Sequence, residues 1–147
     1  MQREVLRWHE HARFVVSEMR AVGTTDVRGG ARQDASELSG KRVLCVSGVG
    51  NPESFAANVR VLGARVAARV EMGDHHDWTP ADVKAVAARA AEVAAEVVVT
   101  TSKDAVKLAS LAWPESAPPL RVLEMEAVVT DGADAWGKLI DEALARA

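Results

Sequence analysis

The sequence predicts an α/β fold: a three-layer, Rossmann-like sandwich on a mostly parallel four-stranded sheet, preceded by an extended linker segment. Three observations carry this. Val43-Leu44-Cys45-Val46 and Val97-Val98-Val99 are continuous apolar runs, rich in β-branched residues, as in strands covered on both faces. Segments of helical apolar spacing follow the strand candidates after short connections. Two of those helices open on a capping residue and a proline, Asn51-Pro52 and Thr79-Pro80.

Taken in order, residues 1–12 read as a short helix with Val5 and Leu6 on one side. Residues 13–22 read as extended, with imperfect alternation of Phe14, Val16 and Met19, and residues 23–40 as a Gly- and Ser-bearing loop. The first regular strand is Val43–Val46. Phe55, Val59 and Leu62 then recur at helical spacing, and Gly63 ends that helix. Ala64–Val70 is the second strand. Pro80 opens a helix with Val83, Val86, Ala87, Ala90 and Val93 on one face. Glu96–Thr100 is the third strand, and Thr101-Ser102-Lys103-Asp104 opens a short helix carrying Val106 and Leu108. A proline-bearing loop from Trp113 to Pro119 leads to a fourth strand, Leu120–Val128. Asp131 is the expected cap of a last helix with Ala135, Leu139, Ile140 and Ala143.

Composition narrows the function. The chain has 147 residues, 48% hydrophobic and 27% charged, which is globular rather than disordered. A net charge of −3 offers no global field for nucleic acid or an anionic membrane. No apolar run reaches the roughly 20 residues of a membrane span. The opening Met1-Gln-Arg-Glu-Val-Leu-Arg lacks the apolar core of a signal peptide, so a cytoplasmic protein is expected. The single cysteine, Cys45, lies inside a strand and is expected to be a buried, inert thiol.

Right-handed crossovers put every strand-to-helix loop on one sheet edge. With the four strands numbered along the chain, the expected order is 2-1-3-4, which sets a switch point between the first and third. Three loops then become neighbours: Gly48–Pro52, Gly73–Thr79 and Thr100–Asp104. In the second, Asp74-His75-His76-Asp77 gathers four ionisable groups. Imidazole ordinarily titrates near pH 6.5, and an adjacent carboxylate fixes its tautomer, so this loop suits proton handling; the alternative is a solvated polar turn. Adjacent histidines point different ways and no third ligand stands at zinc spacing, so no metal site is expected. Gly48-Val49-Gly50-Asn51-Pro52 offers close backbone approach and a helix start to an anion, or simply a tight capped turn. It lacks the third glycine of a dinucleotide fingerprint. Lys103 and Lys107, four apart, share one helix face that suits an anion or solvent. The chain holds no Gly-x-x-x-x-Gly-Lys-[Ser/Thr] loop and no Gly-x-Ser-x-Gly elbow.

As an ordered set these motifs resemble one family. Gly40-Lys41-Arg42-Val43-Leu44, Gly48-Val49-Gly50-Asn51-Pro52-Glu53-Ser54-Phe55, Leu62-Gly63-Ala64, Asp74-His75-His76 with Thr79-Pro80-Ala81-Asp82, and Thr101-Ser102-Lys103-Asp104-Ala105-Val106-Lys107-Leu108 together resemble the C-terminal half of the tetraacyldisaccharide 4′-kinases, the lipid A 4′-kinases. The resemblance implies a two-lobed enzyme that uses ATP and Mg²⁺ to phosphorylate the 4′-hydroxyl of a lipid A precursor, a tetraacylated disaccharide 1-phosphate. It implies that His75, beside Asp74, works with an acidic residue of the other lobe. Gly48, Gly50, Asn51, Thr101, Lys103 and Asp104 are then expected on the nucleotide side. Residues 1–40 correspond to a helix and β-linker, and 41–147 to the C-terminal lobe. Ser102 stands where the family has Glu, and Ala56 where it has an aromatic. With no P-loop of its own, the chain is expected to be inactive alone and to need a P-loop lobe, at the inner face of the inner membrane in the complete enzyme. The alternative is a free-standing, non-catalytic binding or regulatory module built on that lobe.

Overall fold

The computed structural model describes residues 2–145. Its elements are α1 (Gln2–Trp8), β1 (Val16–Asp26), a 3₁₀ turn at Ala35–Leu38, β2 (Arg42–Ser47), α2 (Pro52–Val61), β3 (Arg65–Glu71), α3 (Pro80–Glu92), β4 (Val97–Thr101), α4 (Ser102–Leu108), β5 (Leu120–Asp131) and α5 (Ala133–Leu144). The sheet has five strands in the order β1-β5-β4-β2-β3. The four expected strands stand in their expected order. The strand count was one short, because β1 adds an edge strand.

Strands β3, β2, β4 and β5 are parallel, with Val43 opposite both Val66 and Val97, and Val98 opposite Leu120. Side chains alternate across such strands, so successive residues feed two cores. Val43, Cys45, Val97 and Val99 pack with Phe55, Ala56 and Val59 of α2. Leu44, Val46 and Val98 pack with Val83, Val86 and Ala90 of α3, Leu108 of α4, and Trp78. Helices on both faces explain the unbroken apolar runs, since neither face of these strands meets water. Burial pushes the Cys45 thiol up to about 12, against the pull of Arg60 and Arg69, so it stays protonated and inert at neutral pH.

The helix starts follow the sequence signals. The Asn51 side chain accepts from Ser54 N–H at 3.0 Å, and Pro52 occupies the first turn of α2. Thr79 and Asp82 form a reciprocal capping box on α3. Gly63, at φ +80°, follows α2 in the left-handed conformation glycine tolerates.

Four details differ from expectation. β1 runs on to Asp26 and the supposed loop 23–40 contains the 3₁₀ turn, capped by Asp34 and anchored by the buried Leu38. β5 continues to Asp131, so Gly132 rather than Asp131 stands before α5, at φ +78° and with no side-chain cap. Val106 is 79% exposed. The inward face of α4 is Asp104, Ala105 and Leu108, because Asp104 finds polar partners below it. No residue of α5 is buried among those described.

Two compact units divide the chain, one holding the residues up to Arg20 and from Glu126 on, the other Ala21–Met125. In the first, Thr130 Oγ1 donates to the Val16 carbonyl at 3.3 Å and Arg13 lies 3.7 Å from Glu142. The second contains both cores and all three loops singled out above. Among the described residues no helix is long and apolar enough to cross a membrane.

Candidate functional site

Ser47, Glu71 and Thr101 end their strands at the same edge, and the loops that follow are bound to one another. Asp104 is the centre of this arrangement. It is 3% exposed and its carboxylate accepts three hydrogen bonds: from Gly48 N–H at 2.9 Å, the Trp78 indole at 3.1 Å and the Thr101 hydroxyl at 2.7 Å. A buried carboxylate needs such donors to offset lost hydration. It ties the loop after β2, the loop after β3 and the start of α4 to a single side chain. Glycine suits position 48 because a Cβ there would lie 3.0 Å from Asp104 Oδ1 and 3.3 Å from the Gly73 carbonyl, so a larger residue would press on the cluster.

The Asp-His loop is held along its whole length. Lys103 Nζ donates to Asp74 at 2.5 Å. Lys107 Nζ donates to the His75 carbonyl at 3.1 Å, the His76 carbonyl at 2.8 Å and Asp77 Oδ1 at 2.7 Å. His76 Nε2 is 3.1 Å from Asp82 Oδ2, and its ring meets the Trp78 ring edge-on at 5.3 Å. All three donors of Lys107 are thus taken by the neighbouring loop, while Lys103 spends one on Asp74 and keeps a partly exposed ammonium. The Lys103 hydrogen bond holds the Asp74 carboxyl below the usual range, and Lys107 does the same for Asp77. Asp82 is lowered by the Thr79 hydroxyl first and His76 second.

Within this tethered loop His75 stands apart. Gly73–His76 is a tight turn closed by His76 N–H to the Gly73 carbonyl at 3.1 Å. His75, its third residue, has φ +62°, a conformation that type II turns normally give to glycine. Its side chain is 79% exposed, with Asp74 Oδ2 3.7 Å from Nε2. Every other member of Asp74–Trp78 has a side-chain partner within hydrogen-bonding distance on α3 or α4.

The structure therefore brings together His75, Asp74, Gly48, Thr101, Lys103 and Asp104. Asn51 is engaged in capping α2, and Gly50 is exposed with nothing within 4 Å of where a Cβ would sit. Trp78, Asp82 and Lys107 also belong to the cluster. The capping-box spacing of Thr79 and Asp82 is readable in sequence. The Trp78–Asp104 bond spans 26 positions and has no local signature. Among the described residues no group of three or more His, Cys, Asp or Glu side chains converges to hold a metal ion.

Comparison with known proteins agrees with this architecture. The family model described as Tetraacyldisaccharide-1-P 4'-kinase matches residues 2–145. A tetraacyldisaccharide 4'-kinase of Anaeromyxobacter sp. (strain K) is 36% identical over 132 residues, which are 88% of this chain and 35% of that protein. One from Rhodospirillum rubrum is 40% identical over 108 residues, 74% of this chain and 31% of that protein. The chain thus spans about a third of the length of these curated relatives. A crystal structure of "apo" form LpxK from Aquifex aeolicus in complex with ATP shares the fold, with a TM-score of 0.55 at 18% identity, covering 93% of this chain and 40% of that one. The 147-residue chain belongs to the tetraacyldisaccharide-1-P 4'-kinase family.

Proposed function

We propose that this chain is the histidine-bearing C-terminal lobe of a tetraacyldisaccharide 4′-kinase. On this reading it acts with a phosphate-binding lobe to move the γ-phosphoryl of ATP onto the 4′-hydroxyl of a tetraacylated disaccharide 1-phosphate. The observation that carries the reading is the isolation of His75. Its ring is exposed on a strained turn whose other side chains, Asp74 and His76, are bonded to Lys103 and Asp82. A non-glycine residue at positive φ costs about 1 kcal/mol, and such strain persists where the surroundings impose it.

ATP with Mg²⁺ supplies the transferable phosphoryl group and neutralises its charge when bound. Most of the residues expected on the nucleotide side are engaged with protein groups. Gly48 N–H, the Thr101 hydroxyl and the Asp104 carboxylate bond to one another, Lys103 holds Asp74, and Asn51 caps α2. Their role is to fix the edge from which His75 projects. Phosphoryl transfer is chiefly a matter of positioning and charge stabilisation, so a histidine on a fixed edge is a useful part. Its imidazole takes, or shares with a facing carboxylate of the other lobe, the proton that leaves the acceptor hydroxyl as the new P–O bond forms and the bond from the γ-phosphorus to the departing ADP breaks. Asp74 orients that ring.

The test joins this chain to the remaining portion of the Anaeromyxobacter relative, in place of that protein's matching segment. Labelled phosphate should appear on the tetraacyldisaccharide 1-phosphate with the joined protein and not with the 147-residue chain alone. A folded but inactive joined protein would favour a non-catalytic module instead.

A further inference from the structure

We infer that Lys107 is a positioning residue for His75, and that it acts through the backbone of the Asp-His loop rather than through any ligand. The inference rests on the role given to His75 above, but its geometry does not.

An ammonium has three N–H donors. All three of Lys107 are used, on the His75 carbonyl, the His76 carbonyl and the Asp77 carboxylate. The peptide unit that joins His75 to His76 is held at both ends: its N–H donates to the Gly73 carbonyl at 3.1 Å, and its carbonyl, that of His75, accepts from Lys107 at 3.1 Å. The backbone angles of His75, where φ is +62°, set the direction of that peptide plane. Releasing the carbonyl removes one of the two anchors that keep a histidine at positive φ. Lys107 lies on α4, whose inward residues Asp104, Ala105 and Leu108 are buried, so its stem starts from a fixed base. Lys103, one turn earlier, reaches the side chain of Asp74 and not the carbonyls.

Stability is a poor explanation for the arrangement. The charged partner, Asp77, is 95% exposed, and ion pairs in such settings contribute little. What Lys107 supplies is the direction in which the next-door imidazole points. Misplacing a reacting group by about 1 Å can cost about 100-fold in rate.

Lys107→Met keeps the apolar stem and removes the donors; Lys107→Arg keeps a cation. The first arm uses the full 147-residue chain and NMR couplings that report the sign of φ at His75. Wild type and Lys107→Arg should show positive φ. Lys107→Met should lose it, with little change in Tm. The second arm uses the protein joined to the relative's remaining portion. There Lys107→Met should lower kcat about 10- to 100-fold with KM for ATP and for the lipid unchanged, and Lys107→Arg should recover most of the loss. Retention of positive φ and of kcat in Lys107→Met would overturn the inference while leaving the role of His75 intact. If instead His75→Ala leaves turnover unchanged in the same protein, the functional reading fails, and the φ result still decides whether Lys107 shapes the loop.

Discussion

At the scale of single residues, two positions at the loop edge of the sheet depart from what folding alone would select. His75 occupies a left-handed turn position where glycine would be relaxed. His75→Gly should therefore be more stable than His75→Ala, by about 1 kcal/mol in urea unfolding. Equal stabilities would mean that the turn carries no strain at this residue. Thr100 is the second case. It is fully buried at the end of β4, and its hydroxyl is without a partner. An unsatisfied buried hydroxyl costs about 1–3 kcal/mol, and Val97, Val98 and Val99 precede it in the same strand. Thr100→Val should raise stability by about 1 kcal/mol. A loss of that size would show that the hydroxyl is bonded in solution.

At the scale of elements, the sequence was legible where one physical force acted alone. Strands β2 and β4 read clearly because both faces of each are buried, and the starts of α2 and α3 read clearly because Asn51 and Thr79 cap them. β1 did not, since its first five residues are exposed and impose no alternation. Apolarity alone pairs Val106 with Leu108, whereas Asp104 turns α4 by bonding Gly48 and Trp78. No local pattern announces a bond across 26 residues. The importance of that bond is measurable. Asp104→Ala leaves the Gly48 and Trp78 N–H groups unpaired beside a buried edge, and should cost at least about 2 kcal/mol. A cost well under 1 kcal/mol would remove Asp104 from the centre of the loop cluster. The Asp-His loop should also respond to acid. Asp74 is lowered by Lys103, Asp77 by Lys107, and Asp82 by Thr79 and then His76. Folded values below unfolded ones mean that these contacts contribute fully above about pH 4. They are lost as pH falls through the lowered values. Hydrogen-exchange protection of residues 73–79, corrected for intrinsic rates, should hold from neutral pH to about 5 and fall below about 4. Loss of protection on going alkaline instead would contradict the ion-pair account.

At the scale of the whole molecule, the observed order β3-β2-β4-β5 agrees with the one expected, and right-handed crossovers between parallel strands set the strand-to-helix loops along one edge. The same rule brought the three loops to one edge, and the bonds of Asp104, Lys103 and Lys107 join them there. The family is shown by a model matching residues 2–145, while the chain spans 35% and 31% of two of its relatives. On the proposed reading the activity belongs to an assembly larger than this chain, and the central claim is that His75 is what the chain brings to it. His76 is the natural control: the adjacent imidazole is half-buried against Trp78 and bonded to Asp82, a structural setting. The most direct measurement is turnover of the protein joined to the relative's remaining portion, with each histidine replaced in turn. His75→Ala should lower kcat about 10²- to 10⁴-fold, the range expected for a positioned acid or base, while His76→Ala should act mainly through stability and recover at lower temperature. Equal losses, or a His75→Ala protein whose activity returns on cooling, would contradict the account.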